Sequence, residues 1–591
     1  MRRLPLTIVV ICAALGALGQ GVNPALVIRS KTTLVNVDVI VTDSKGLPVH
    51  GLKQEAFTVR EDKVEQTVKT FDEHSGAVPL AGAPEPLGVF TNMPPVLKSA
   101  TENVLVLDWL NTPPEVQPFM RDQLVKFVNT QQSGVPTAIF SLNTKLRLLQ
   151  DFTSDPRLLK VALLKQGNKF SPLLRNGGSG VDPAVVDFEK QIQRTANPRI
   201  RQALEGLESG LVASNAQADS QQLSLRTQQT LSAMTELARF LGGGTSRKNM
   251  IWVAGALPFD TLRAILNPNM ALPGPDDTRQ AFKQALALLA GAGVAIYPVD
   301  PSGVVNAPSN GKATENHRTE PLAAERMTGN PAYGSMDDKF QDQRYQQHHA
   351  MEEIALATGG KAFLDTNDLV GAFRQATRLG SEFYTLTYAP PPGEDKGRFR
   401  SIQVTVAGKD LRLTYRNGYF MPSTAGGKIA AGPALAHAMD PLALPSTQIV
   451  FSVRPAISQG TDPAQVIGDA ALAKQPHNTV SLNLSIDISS LSFEPQVDGR
   501  MHGTVDLGTA LYDSNEKLLD TRQDRATIVL TPERYQAMME SGLKLHSAIA
   551  LQAAGDETIR VGVHDLSTDR IGTLQLSADE VRAAISSTPV P

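Results

Sequence analysis

Three aspartates close apolar runs in this chain: Asp108 ends VLVLD, Asp300 ends YPVD and Asp365 ends KAFLD. In a parallel sheet such strand ends open into the crevice where ligands bind. The first continues as Asp108-Trp109-Leu110-Asn111-Thr112, a carboxylate followed by a hydroxyl. Mg²⁺ takes hard oxygen ligands in near-octahedral geometry, and such groups suit it. Asp108, Asp300 and Asp365 are therefore candidate metal ligands, and Asn111, Thr112 and Asp300 the candidate partner-binding rim. The plainer reading is that each aspartate caps the turn or helix that follows it.

Other groups with chemical promise carry less. QHHAMEE sets His348 and Glu352, and His349 and Glu353, four residues apart on one helix face. Metal sites use that spacing, but no third ligand stands nearby, and a solvated face accounts for it. No Gly-x-Ser-x-Gly elbow occurs, and so no nucleophile is presented in that way. LGGGTSRKN follows a helical pattern and precedes an apolar run, so its glycines stop a helix and do not cradle a phosphate. Trp109 and Trp252 fall on core strands.

Elements must hold these residues in place. From about Thr101, short apolar runs alternate with helical patterns: VLVLDWL, TAIFSLNTKLRLL, NMIWVAG, AIYPVD and KAFLD, with helices between them. That alternation predicts an open, mostly parallel sheet covered on both faces. Val104–Leu107, Met250–Val253 and Ala295–Val299 are expected side by side. Two polar stretches, 166–220 and 302–343, read as insertions, the first with a helix near 184–211. Residues 28–76 alternate with period two and form an N-terminal β unit, and 77–100 and 423–445 are Gly/Ala/Pro-rich linkers. Residues 446–591 carry repeated strand and turn signals of a β-sandwich-like domain. The α/β domain spans 101–422.

The 591 residues carry 56 Lys and Arg against 59 Asp and Glu, a net charge of −3. No basic block supports nucleic-acid binding. The opening MRRLPLTIVVICAALGALGQG has two arginines, an apolar core and small residues, as a secretory signal over residues 1–19 does. The single cysteine, Cys12, lies inside it, so a mature chain has no disulfide. The expectation is an exported protein, periplasmic or extracellular, with no stable membrane span after cleavage.

VDVIVTDSKGLPVHGL, FTVRED, the Asp108 strand, SRKNMIWVAGALPF, AIYPVDPSG, TGGKAF and EFYTLTYAPPP through LRLTYRNGYF follow one another in order. Together they resemble the bacterial VWFA-related (acidobacterial-type) domain, over about residues 33–420. The resemblance implies a Rossmann-like von Willebrand factor A-like domain that binds proteins, often through a divalent cation, with no established enzymatic activity. Its metal motif is Asp-x-Ser-x-Ser, a loop threonine and an aspartate after the central strand. Asp108 and Thr112 match, whereas Leu110 replaces the first serine and Ala254-Gly255 stand at the central strand end. The site is expected to be degraded, with at most weak Mg²⁺ binding. The expected function is binding of another protein or a surface polymer through the rim loops 111–115 and 302–343. The competing expectation is a secreted hydrolase or other enzyme with its active site at the same rim.

Overall fold

Burial on two sides organises the middle of the chain. Val104, Val106, Met250, Trp252, Val294 and Ile296 pack on one face, and Leu105, Leu107, Ile251, Val253, Ala295 and Tyr297 on the other. Runs apolar at both parities have no face to give to water, so helices must cover both sides. The structure, a computed structural model, describes residues 34–75, 88–93, 101–130, 135–165, 194–244, 246–258, 276–303, 331–390, 398–420, 431–457, 477–496, 498–552 and 555–587, with a few isolated positions.

The sheet consists of β1 (Thr101–Asp108), β2 (Thr137–Leu142), β3 (Leu146–Thr153), β4 (Arg247–Val253) and β5 (Val294–Val299), in the order β5-β4-β1-β2-β3. Met250 pairs in parallel with Val104 on one side and Ile296 on the other, so the three expected neighbours are adjacent. TAIFSLNTKLRLL is not one strand. It turns at 143–145 and returns antiparallel as β3. KAFLD contributes only a single parallel bridge, Phe363 to Val299.

Among the described residues six helices cover the sheet: α1 (Gln117–Thr130), α2 (Pro156–Leu164), α3 (Pro198–Phe240), α4 (Asp276–Gly291), α5 (Pro331–Thr358) and α6 (Leu369–Ser381). The first, second and sixth seal the Leu105 face, and the other three the Val104 face. Asp368 caps α6 by accepting from the Gly371 amide at 2.8 Å. The first expected insertion is in part helix, since Pro198–Ser220 opens α3. The second ends in α5, and its 304–330 portion lies outside the described residues.

Two domain boundaries differ from expectation. The strand Glu382–Tyr388, expected to close the α/β domain, pairs antiparallel with Val35–Thr42 and Val68–Ser75. Phe399–Val406 pairs with Phe57–Glu61 and Gly418–Phe420. Residues 34–75 and 382–420 thus share one core around Val37, Val59, Leu386 and Val404. The stretch 77–100 is also more than a linker: Phe90–Thr91 pairs with Ser452 and Val453 of the C-terminal domain. Asn92 anchors it, donating to the Ser446 and Ile449 carbonyls and accepting from the Phe451 amide.

The C-terminal residues form two antiparallel sheets around a common core that includes Ile449, Leu482, Val505 and Val561. This domain docks on the end of α3. Asp569 accepts from Arg239 at 3.2 Å and from Gln284 at 3.1 Å, and His564 lies 2.8 Å away. Gly243 donates its amide to Thr447 Oγ1, and a β-carbon at that glycine would meet Thr447 at 2.6 Å. The triple glycine therefore follows a helix, as its pattern predicts, and also admits a close approach of the next domain. Of residues 1–19 only Ile8–Val9 are described, as a short strand beside Ala526–Thr527. The rest of the expected signal lies outside the described residues.

Candidate functional site

The chain leaves β1 toward β2 on one side and reaches β4 on the other, so the crevice at the C-terminal ends of β1 and β4 is the topological switch point. Asp108 sits in it, completely buried. Its Oδ1 accepts from the Asn111 amide at 2.9 Å. Its Oδ2 accepts from Asn111 Nδ2 at 2.8 Å and from the Trp252 indole at 2.8 Å. Asn111 Oδ1 in turn accepts from Arg226 Nε at 3.0 Å, and Asn111 Nδ2 also reaches Thr230 Oγ1. Both Arg226 and Thr230 come from α3, whose flank closes the crevice.

Thr112, also fully buried, uses its hydroxyl to accept from the Gly255 amide at 3.2 Å, and the Ala256 amide donates to the Asn111 carbonyl. A β-carbon at Gly255 would meet Pro113 at 2.7 Å. The turn after β1 and the end of β4 are therefore held in direct contact. Leu110 is fully buried in the core.

A hard divalent cation does not fit this donor set. Three N–H groups point at the two carboxylate oxygens, the threonine hydroxyl already serves an amide, and donors of that kind repel a metal ion. The nearest fixed positive charge is the Arg226 guanidinium, one side-chain amide away. Desolvation raises the Asp108 pKa to about 6, and the bonds from Asn111 and Trp252 and the charge of Arg226 partly offset it. With no surface in contact with solvent, this carboxylate cannot act as a base on an external substrate.

Asp300 and Asp365 come together, but around Arg344 and His348 and apart from the Asp108 network. Asp300 is buried, and its Oδ1 caps the next turn by accepting from the Ser302 amide at 2.8 Å. Its Oδ2 lies 3.1 Å from His348 Nε2 and 3.6 Å from Arg344 Nη2. Arg344 also donates to Asp365 Oδ1 at 2.8 Å and to the Gly303 carbonyl. His348 Nδ1 lies 3.6 Å from Asp365 Oδ2. Asp365 adopts φ of 49°, in the left-handed region that aspartate tolerates better than most residues. His349 pairs with Glu353 at 3.3 Å, whereas His348 faces Asp300 and Asp365, so its side of the helix is not the solvated face expected. Among the described residues no group of three or more His, Cys, Asp or Glu is arranged to hold a metal ion.

Asn111, Thr112 and Asp300 are thus buried, which removes them from a contact surface. They brace the rim from beneath. Sequence reasoning missed Trp252 as a hydrogen-bond donor, and Arg226, Thr230, Arg344 and His348 as partners of these aspartates. It also missed that the rim carries a long projection. Helix α3 has 43 residues. Its last turns pack on the sheet, and Arg226 and Thr227 meet the rim at Asn111 and Pro258. Residues 198–225 continue past it for ~42 Å at 1.5 Å per residue. Ile200, Leu207, Val212 and Leu225 on that projection are 53%, 61%, 47% and 46% exposed.

No protein-family model and no curated protein matches the chain. Among solved structures it is similar to an aerotolerance-related membrane protein from Bacteroides fragilis at 12% identity and TM-score 0.24, over 47% of this chain and 98% of that one. It is similar to the pilus adhesin SpaC from Lactobacillus rhamnosus GG at 8% identity and TM-score 0.24, over 86% and 57%. A von Willebrand factor type A protein from Catenulispora acidiphila matches at 11% identity and TM-score 0.14, over 63% and 80%. Likenesses at these TM-scores carry no argument about fold or function.

Proposed function

We propose that this chain is an exported, non-enzymatic binding protein whose von Willebrand factor A-like domain recognises a protein partner at its C-terminal rim without a metal ion. The observation that carries the reading is the α3 projection. Ile200, Leu204, Leu207 and Leu211 recur at four-three-four spacing over its first turns, a short apolar stripe in which Ile200 and Leu207 are exposed and Leu204 and Leu211 half-buried. A helix segment extending from its domain is marginal in water, because most helical stability in proteins comes from packing an apolar face. Gly206 and Gly210, with open space around their α-carbons, weaken it further. Such a segment gains most when a partner covers its stripe. A complementary helix or apolar groove fits better than a polymer.

The rim beneath supplies rigidity. The Asp108 network pins the turn 109–113 against 254–256 and ties α3 to both, so the projection is held at a set angle. No helix of the described residues is long and apolar enough to cross a membrane. The hydrolase reading gains nothing from either aspartate network, since Asp108 is sealed and both ring nitrogens of His348 face carboxylates.

The projection is tested by the double variant Ile200→Glu, Leu207→Glu. Both side chains are exposed, so thermal unfolding of the α/β domain is expected to match wild type. Capture of the partner from the exported fraction of the native host is expected to fall to background. Undiminished capture by the folded variant overturns the assignment of the stripe.

A further inference from the structure

The opposite end of the parallel sheet holds a cleft of about 510 Å³. That size lies within the range of small-molecule pockets. The N-terminal ends of β4 and β5 form its floor, and strands of the domain built from residues 34–75 and the chain after α6 cover it. Its walls include Ala287, Ala290, Val294, Phe383 and Phe420, with the backbone of Gly242–Gly244 and Gly291–Gly293. The lining is mostly apolar and carries only a few charges.

Those charges do not cancel. Asp38 is fully used: its Oδ2 accepts from Arg247 Nη1 at 2.9 Å, and its Oδ1 accepts from Thr385 Oγ1 at 2.9 Å. Arg247 donates further to the Gly359 carbonyl at 3.1 Å and lies 5.0 Å over the Phe383 ring. Arg247 and Asp38 thus form a closed pair. His74 faces Thr385 Oγ1 at 3.1 Å and stacks on Phe383.

Arg416 is different. Its Nη2 donates to the Asn36 carbonyl and its guanidinium lies 5.6 Å over the Tyr419 ring, while its Nε, like that of Arg247, has no acceptor among the described residues. Among the described residues no carboxylate lies within ion-pair distance of it. Burial, with Arg247 nearby, pushes its pKa below the usual arginine value, although Asp38 opposes this. A guanidinium set over an aromatic face and lacking a carboxylate partner suits a planar oxyanion.

We propose that this cleft binds an organic monoanion, a carboxylate carried on an apolar body. The carboxylate accepts from Arg416 beside Tyr419, and the body packs against Phe383, Phe420 and Ala290. The carboxylate can belong to a free organic acid or to the C-terminus of a peptide, since both present the same group. The cleft lies at the other end of the sheet from Asp108, so this binding does not depend on the rim or on the α3 projection.

Calorimetric titration of the whole chain with 4-phenylbutyrate and with its uncharged amide tests the proposal. N-acetyl-Leu-Phe and its C-terminal amide form the second pair. At least one acid is expected to bind saturably, and neither amide. A response to the small acid alone assigns a free acid as ligand, and a response to the peptide acid alone assigns a chain terminus. Arg416→Gln is expected to weaken binding roughly tenfold or more, the loss of a charge-assisted hydrogen bond. Because Arg416 also braces Asn36, Gly291→Leu is the second variant. Gly291 lines the cleft and a β-carbon there meets nothing within 4 Å, so the fold tolerates it while the side chain fills the space. It is expected to abolish binding. Equal binding of acid and amide, no saturable binding of either acid, or wild-type affinity in Gly291→Leu overturns the proposal.

Discussion

Asp108→Ala is expected to lower the unfolding free energy of the α/β domain by about 3–5 kcal/mol, because it orphans buried donors that each cost about 1–3 kcal/mol when left unsatisfied. Those donors are the Trp252 indole, the Asn111 amide and Asn111 Nδ2, and the last retains only Thr230. Arg226 loses its counter-charge as well. Asp108→Asn keeps the shape but brings its own N–H₂ toward N–H groups, so it restores only part of the loss. The pH dependence has a definite sign. Burial raises the folded-state pKa from 3.8 to about 6, so folding favours the protonated acid. The advantage of wild type over Asp108→Ala is largest below about pH 4, falls as pH rises toward about 6, and is level above. Denaturant unfolding of both proteins across that range measures it. A difference under about 1 kcal/mol, the worth of one ordinary hydrogen bond, or a difference that grows with pH, contradicts the network.

Glu61→Ala is expected to cost about 3–5 kcal/mol, the usual effect of removing one partner of a buried ion pair. Glu61 is 2% exposed, and its Oε1 accepts from Arg400 Nη1 at 2.6 Å. Its Oε2 accepts from the Tyr388 hydroxyl at 2.5 Å and the Tyr419 hydroxyl at 3.0 Å. Burial first, and Glu61 after it, hold both phenols un-ionised well above the usual tyrosine range. Glu61 comes from the N-terminal strands and its three partners from the strands after α6. The loss therefore reports whether these two stretches form one domain. Spectroscopic titration of tyrosine adds a second readout, since wild type should keep two phenols silent until the domain unfolds in alkali. An unchanged midpoint in Glu61→Ala would place the two stretches apart.

The buried sheet was legible because β1, β4 and β5 are apolar at both parities, a pattern that only two-sided burial explains. Asp108 was legible as the rim residue for the same reason: it ends such a run. What surrounds it was not. Trp252 reads as one more core aromatic, and only the register of β4 against β1 turns its indole toward Asp108. Arg226 lies far along the chain in a polar helix with no motif of its own. The α3 projection did carry a signal, since Asn197 caps the helix and Pro198 occupies its first turn. Its polar, glycine-containing composition pointed instead to an insertion with a separate helix near 184–211, so the single run from Pro198 to Phe240 was not legible. The partners of the N-terminal strands were hidden because strand pairing between residues 34–75 and 382–420 leaves no local mark, and Phe90–Thr91 is too short to show a period. Asp300 and Asp365 were expected to meet Asp108 at the rim, but they meet only each other, and Asp108 has a separate network. Arg344 and His348 fill the space between them, which no strand-end pattern could reveal.

The central claim is that the rim recognises its partner through the α3 stripe, with Arg226 and Asn111 standing where a cation would otherwise be needed. The most direct test is capture of exported proteins by the immobilised mature chain, run in parallel with excess EDTA and with millimolar Mg²⁺. The account predicts the same partner in the same amount under both conditions. A partner retained only with the divalent cation, and released by the chelator, would contradict it.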